Sequence, residues 1–292
     1  MKKASSIILA IILLMSACIS HTMAYSKENV NSYSSPSIIY ENEYKTLETD
    51  LSEPLEVFAQ TPDATAGLNI SESELEALLH DYQSQITAVH GDDPISLEGT
   101  LDGFAQYAVD TGTIPDTPEA RASITKAAVR LSLKVAAEIG SIPWPVAATL
   151  LNHSLQDDPS DLTYASGTVA DSVRDCSEYD DILAVAKEKV NDYIGSSVAK
   201  VSYSGSTTLD STSDLKIAFN KVSYDVELIK TSDRAWTIKI TIHDTYNFDP
   251  ETWKDLSSDP DIVDLMNNYG IYAEQVGAVV PYDIDVILAS IA

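Results

Sequence analysis

Near Ser196 the spacing of apolar residues changes from a helical period to strict alternation, and that change constrains the fold more than any other feature of the chain. Upstream, "SESELEALLHDYQSQITAVHG" carries Leu75, Leu78, Leu79, Tyr82 and Ile86 at helical spacing. Ser71 suits its cap, Glu74 the capping-box position and Gly91 its stop. "DTPEARASITKAAVRLSLKVAAEIG" predicts a second helix, with Thr117 capping, Pro118 in the first turn and Gly140 at the end. "IPWPVAATLLNHSLQDDPSDL" and "SEYDDILAVAKEKVNDYIG" predict two more. Downstream, "SVAKVSYSGSTTL", "DLKIAFNKVSYDVELIK", "RAWTIKITIHD" and "AVVPYDIDVIL" alternate as strands do, and "TSDR" fits a hairpin loop between the second and third. A further helix, "DPDIVDLMNNYGIYAEQVG", interrupts them. The expected fold is α+β: a helical region over 68–195, then an antiparallel sheet crossed by one helix over 196–292. The boundary near 195 divides either two domains or two layers of one.

The N-terminus has the pattern of an export signal over 1–24. Lys2 and Lys3 precede the apolar run Ile7–Met15, which is too short to span a bilayer comfortably. Two cleavage routes compete. "MSAC" sets Cys18 behind Ser16 and Ala17, the small residues a lipoprotein peptidase requires, with Met15 in place of the usual Leu; "TMA" at 22–24 is a conventional site. The first route makes Cys18 a lipidation site and anchors the chain to the outer face of a membrane; the second releases a secreted protein. Residues 25–67, rich in Ser, Tyr, Asn, Glu, Pro and Thr without a sustained period, are expected to form a flexible arm.

Charge narrows the partners. With 45 acidic residues against 18 basic ones and a formal net charge of −27, the chain offers no basic patch for nucleic acid, and an anionic membrane surface repels it. Membrane association is therefore expected only through a lipid on Cys18. The remaining partner is an unidentified envelope ligand or protein. At 44% apolar residues the composition still supports a core.

The candidate site lies where the best strand ends. In "AWTIKITIHDTYNFDPETW", Trp236, Ile238, Ile240 and Ile242 share one face, Thr237, Lys239, Thr241 and His243 the wet face, and Asp244 falls next on the apolar side. A buried carboxylate requires partners or a shifted pKa. Two readings stay open: the strand continues and Asp244 belongs to a site, or it stops at His243 and Asp244 organises the turn. Asp244, Tyr246 and Asp249 are the catalytic candidates, two carboxylates being enough for glycoside hydrolysis if a sugar fits between them. Asn268, Tyr269, Tyr282 and Asp283, with Asn267, are the ligand-binding candidates.

The segments "DTYNFDP…W" and "NNYG…A…VGAVVPYDIDV" resemble the C-terminal signature of a family of uncharacterised exported or toxin-associated proteins, in which a strand ending in Asp-x-Tyr-Asp/Asn-Phe-Asp leads into a helix and a Pro-Tyr-Asp-Ile strand. "WPVAATLLNHSLQ" is similar to the helical part of such proteins, and the likeness covers roughly residues 120–290. It implies a fold but no activity. A second resemblance is to colicin M-type lipid II hydrolases, whose motif is Asp-x-Tyr-Asp followed by His-Arg. Asp244 and Tyr246 match; Asn247 stands where the second Asp belongs, and no His-Arg follows. The missing pair would have supplied an acid/base group and a counter-charge for pyrophosphate.

Other chemistries find less. No HExxH, EF-hand loop, phosphate-cradling glycine loop or GxSxG elbow occurs, so no zinc centre is expected and serine-hydrolase chemistry has no support in the sequence. No cofactor is expected, with Ca²⁺ at "NFDPE" or "SLQDDPSD" as the one alternative. Cys176 is expected to be a structural thiol in an acidic setting, and His153 a satisfied core residue. The function these readings support is an exported acidic protein that binds a ligand at the end of its sheet; the alternative is an envelope-acting hydrolase or toxin-like effector centred on Asp244 and Tyr246.

Overall fold

The computed structural model describes residues 32–40, 55–90, 97–219, 221–232, 234–248 and 262–292. Residues 1–24, where an export signal is expected, lie outside them, Cys18 included. The helices are α1 Glu72–His90, α2 Leu97–Asp110, α3 Pro118–Gly140, α4 Pro145–Ser154, α5 Gly167–Arg174, α6 Ser177–Tyr193, α7 Ser213–Ala218 and α8 Ile262–Gln275. The strands are β1 Ser32–Tyr33, β2 Ser37–Tyr40, β3 Leu162–Tyr164, β4 Val198–Thr208, β5 Lys221–Ser232, β6 Ala235–Tyr246 and β7 Tyr282–Ile291. The expected class, α+β with helices first and a largely antiparallel sheet after, is the one observed.

Local chemistry explains the helix starts. At α1, Ser71 Oγ accepts from Glu74 N (3.3 Å) while Glu74 Oε2 accepts from Ser71 N (2.7 Å), a reciprocal capping box. Thr117 Oγ1 accepts from Ala120 N at 3.2 Å to begin α3. α4 has no such residue of its own, since Trp144 precedes it without a side-chain cap. Its cap comes from α7: the Asp214 carboxylate accepts from Val146 N (3.0 Å) and Ala147 N (2.9 Å). Asp214→Ala removes both acceptors and a negative charge from a helix N-terminus. It is expected to lower the unfolding free energy by about 1–2 kcal/mol in denaturant titrations, with Asp214→Asn losing less.

Among the described residues the sheet has seven strands in the order β1-β4-β5-β6-β7-β3, with β2 also on the outer edge of β4. β4 to β7 pair antiparallel, and β3 joins β7 in parallel. One face is apolar and covered by helices. Trp236, Ile238, Ile240 and Ile242 of β6 lie between Tyr224, Val226 and Leu228 of β5 and Ile284, Val286 and Leu288 of β7, all buried. α6 lies across β4, β5 and β6, and α5 packs on β7. The other face carries the alternate residues, including the Lys200–Glu227 ion pair and Lys239.

Two expectations change, and one open alternative narrows. The strand expected to begin at Asp214 starts at Lys221 instead. Residues 213–218 form α7, because Thr212 Oγ1 caps Leu215 N at 3.2 Å, and a second helix therefore interrupts the C-terminal strands. Within 25–67, expected to be a flexible arm, residues 32–33 and 37–40 pair with β4 and Val57 bridges Thr163 of β3. The β-branched run "SIIY" answers the unpaired edge of β4, a local signal hidden in the polar composition around it. The boundary near 195 does not separate two cores, since β3, from the helical region, pairs with β7, and buried residues of both halves form one cluster.

Candidate functional site

β6 runs on through Asp244 to Tyr246, paired to β7 as Asp244↔Ile284 and Tyr246↔Tyr282. The turn reading of Asp244 is therefore set aside. Its side chain is half-buried. Burial pushes the carboxyl up to about 8, with nearby Asp283 adding to the rise and a hydrogen bond from Thr245 N–H opposing it. Near neutral pH, Asp244 is an acid that keeps its proton.

The tyrosines go inward. Tyr246 stacks on Tyr282, with ring centroids 5.5 Å apart and an interplanar angle of 22°, and meets Phe248 edge-on at 5.8 Å. Tyr282 donates to Leu150 O at 2.8 Å and sits edge-on to His153 at 4.7 Å. Burial raises both phenols above their ordinary range. Phe248 occupies a notch at Gly270 of α8, where a Cβ would lie 2.1 Å from its ring, and Glu274 Oε1 accepts from Phe248 N at 2.7 Å. The "DTYNF" and "NNYG" segments thus dock helix α8 onto the strand end. Tyr269 hydrogen-bonds with Ser132 of α3 rather than joining the sheet end. Asn267 and Asn268 are placed on α8 by their backbone alone, and Asp249 lies outside the described residues.

An open groove of about 610 Å³ lies at this end of the sheet, mainly on the face that no described helix covers. Two rows of side chains build its floor. One runs from Ser223 of β5 through His243 of β6 and Asp285 of β7 to Thr163 of β3, each in register with the next. In the other, Thr245 Oγ1 donates to Asp283 Oδ1 (2.7 Å), and Asp161 Oδ1 accepts from Asp283 N (3.1 Å). Lys221 and Asn247 also line the groove, and Asp244 borders it. His243 is bracketed by acids: Nδ1 lies 2.6 Å from Asp285 Oδ1, and Nε2 lies 3.2 Å from Asp225 Oδ2. Both ring nitrogens can donate at once only in the imidazolium form.

Of the ligand-binding candidates read from the sequence, Asp283 alone lines this groove among the residues whose side chains are described; Tyr269 and Tyr282 do not join it. The sequence reading placed His243 on the wet face without making it a site residue, and it missed Ser223, Asp285 and Asp161. The alternation in "PYDIDV" already sets Asp283 and Asp285 on one face. The hairpin loop "TSDR" signals that β5 pairs with β6, but the register that brings Ser223 and Asp225 to His243 has no local sequence signal.

Other groups are committed to structure. His153 is fully buried; its Nε2 donates to Ser160 O (2.7 Å) and its Nδ1 accepts from Gln60 N (3.2 Å), and burial lowers its pKa. Cys176 caps α6 by accepting from Tyr179 N at 3.4 Å, and burial pushes its thiol up to about 11. Among the described residues no cluster of His, Cys, Asp and Glu is arranged to hold a metal ion. In "SLQDDPSD", Asp157 pairs with Lys126 (2.7 Å) and Arg130 (2.9 Å). Comparisons with protein-family models, curated proteins and solved structures find no match for this chain.

Proposed function

We propose that this chain is an exported acidic protein of the cell envelope, secreted or held by a lipid on Cys18, that binds an envelope ligand in the groove at the end of its C-terminal sheet. The observation that carries this reading is the polar floor of that groove. Asp161, Asp283, Asp285, Ser223, His243 and Thr245 converge on a depression of about 610 Å³, within the usual range for small-ligand sites. The lining is mostly polar, with acids outnumbering its one lysine, and the aromatic rings of Tyr246 and Tyr282 face the other way. It suits a ligand that presents hydroxyls and amines, such as a wall glycan carrying a short peptide, rather than one held by ring stacking. Export rests on Lys2 and Lys3 before the Ile7–Met15 run.

The test is retention on isolated cell wall from the producing organism. The full-length protein is expected to bind, and the Thr245→Val/Asp283→Asn double variant to bind about tenfold more weakly at an unchanged melting temperature, as loss of one or two charge-assisted hydrogen bonds would give. Wall binding that is absent, or indifferent to these changes, would refute the reading.

A second reading, an envelope-acting hydrolase or toxin-like effector centred on Asp244 and Tyr246, has one observation in its favour. A carboxyl with a pKa of about 8 beside the groove is poised to donate a proton near neutral pH. Tyr246, buried against Tyr282, offers nothing to a substrate from the groove side.

A further inference from the structure

We infer that Ser223, His243 and Asp285 form a nucleophile, a base and an orienting acid for acyl transfer on the open face of the sheet, acting on an ester or amide carried by an envelope component. This deepens the groove reading and rests on it, since the three residues can act only on a group bound there. The residues are consecutive in one row across β5, β6 and β7, paired Ser223↔His243↔Asp285. Partners directly opposite in an antiparallel sheet point to the same side with Cβ atoms about 4.5–5.5 Å apart, close enough for a serine hydroxyl to meet an imidazole. Asp285 Oδ1 lies 2.6 Å from His243 Nδ1, which turns Nε2 toward β5, the strand that carries Ser223. Ser223 is exposed in the groove.

At rest, Nε2 is engaged by Asp225 Oδ2 at 3.2 Å. Asp225 stands two residues from Ser223 on the same face, so the two compete for one nitrogen. On the other side of Ser223, Lys221 brings a cationic side chain to the groove, where a developing oxyanion would sit. Such a set is recognised by geometry and role rather than by sequence position. It escapes a search for GxSxG because the serine rides a strand instead of a strand-to-helix elbow.

The reaction starts from the neutral ring, its one proton on Nδ1 toward Asp285 and Nε2 released from Asp225; Ser223 Oγ then bonds to the carbonyl carbon as its proton passes to His243 Nε2, and the carbonyl π pair moves to oxygen. Collapse of that intermediate breaks the bond to the leaving alcohol or amine, which takes the proton from Nε2. Water then repeats the sequence on the acyl-serine, releasing a carboxylic acid and restoring Ser223.

The experiment is labelling of the purified full-length protein with an alkyl phosphonofluoridate, in which an Oγ–P bond forms and fluoride leaves. One adduct is expected, mapped by mass spectrometry to Ser223 and absent from Ser223→Ala. Labelling is expected to slow by about tenfold or more in His243→Gln and Asp285→Asn, in line with loss of general-base assistance. Asp225→Ala is expected to label faster, because Nε2 is freed; a bracket that served only to stitch strands would not give that result. No adduct, an adduct elsewhere, or a Ser223 rate indifferent to His243→Gln overturns the assignment. Measuring both on the unsubstituted protein keeps the two readings separate: wall binding with no Ser223 adduct overturns the chemistry alone, whereas a His243-dependent adduct without wall binding supports the chemistry and overturns the wall as the groove's ligand.

Discussion

Arg130→Met is expected to lower the unfolding free energy by about 2–4 kcal/mol, the cost of taking a buried charged donor from two carbonyls. Arg130 lies on α3 with 1% of its surface exposed. Its Nε donates to Ala278 O (3.1 Å), and one terminal nitrogen donates to Gln156 O (3.1 Å) and pairs with Asp157 (2.9 Å). Those partners belong to the turn after α4 and the turn that leads into β7, so one guanidinium ties the helical layer to the sheet at two points. Methionine fills the same length without a donor. It leaves the carbonyls of Ala278 and Gln156 without this partner in a site where water is scarce, and each orphaned group costs about 1–3 kcal/mol. Lys126→Met is the control. Lys126 meets the same Asp157 at 2.7 Å, but both side chains are partly exposed, and such pairs contribute about 0–1 kcal/mol. Equal losses for the two variants in denaturant titrations would show that burial of Arg130 has no special weight.

Arg130 also marks a limit on what the sequence discloses. The helix "DTPEARASITKAAVRLSLKVAAEIG" was legible from its cap, its proline and its period. A charged residue in the middle of that period looks like the solvated side. In the folded chain α3 is buried around most of its circumference, with Val129, Arg130 and Leu133 inside as well as Ile124 and Leu131. Amphipathic spacing identifies a helix with one partner layer; it loses its meaning for a helix wrapped by several. The alternating strands posed no such problem, because β5, β6 and β7 each bury one parity against helices and expose the other.

The site divides along the same line. Alternation placed Asp244 on the apolar side of β6, and the strand does continue through it. Tyr246 follows on that side, which makes it a core residue stacked on Tyr282 rather than a wall of the groove. The "DTYNF" and "NNYG" segments meet where Phe248 packs against Gly270 and holds α8 to the sheet. The groove itself is a product of register. His243 meets Asp225 and Asp285, 18 and 42 positions away, only because three strands pair in one particular register, and register leaves no trace in local composition.

Asp244→Asn is expected to stabilise the protein at alkaline pH and leave it unchanged in acid. In the folded chain, burial holds the Asp244 carboxyl at about 8 against an ordinary value of 3.8. An unfolded chain releases this proton near pH 4 and the folded one keeps it until about pH 8, so between those values the native state binds more protons and its stability falls as pH rises. Below pH 4 both states are neutral here and no penalty exists; above pH 8 it is fully developed. At 1.36 kcal/mol per pH unit the window of about four units sets a ceiling near 5 kcal/mol, and partial solvent access reduces the expected loss to about 2–3 kcal/mol. Asparagine has almost the same shape, still accepts from Thr245 N–H and never ionises. Subtracting the two stability-versus-pH curves cancels the other titrating groups and isolates this one. A flat difference from pH 3 to 9 would mean that Asp244 ionises in the folded chain as it does in the unfolded one, and its burial would then have no energetic consequence. If the difference rises as expected while hydrolytic activity on wall material disappears, Asp244 is a proton donor retained at the expense of stability, because a residue serving structure alone would not be more stably replaced by its amide.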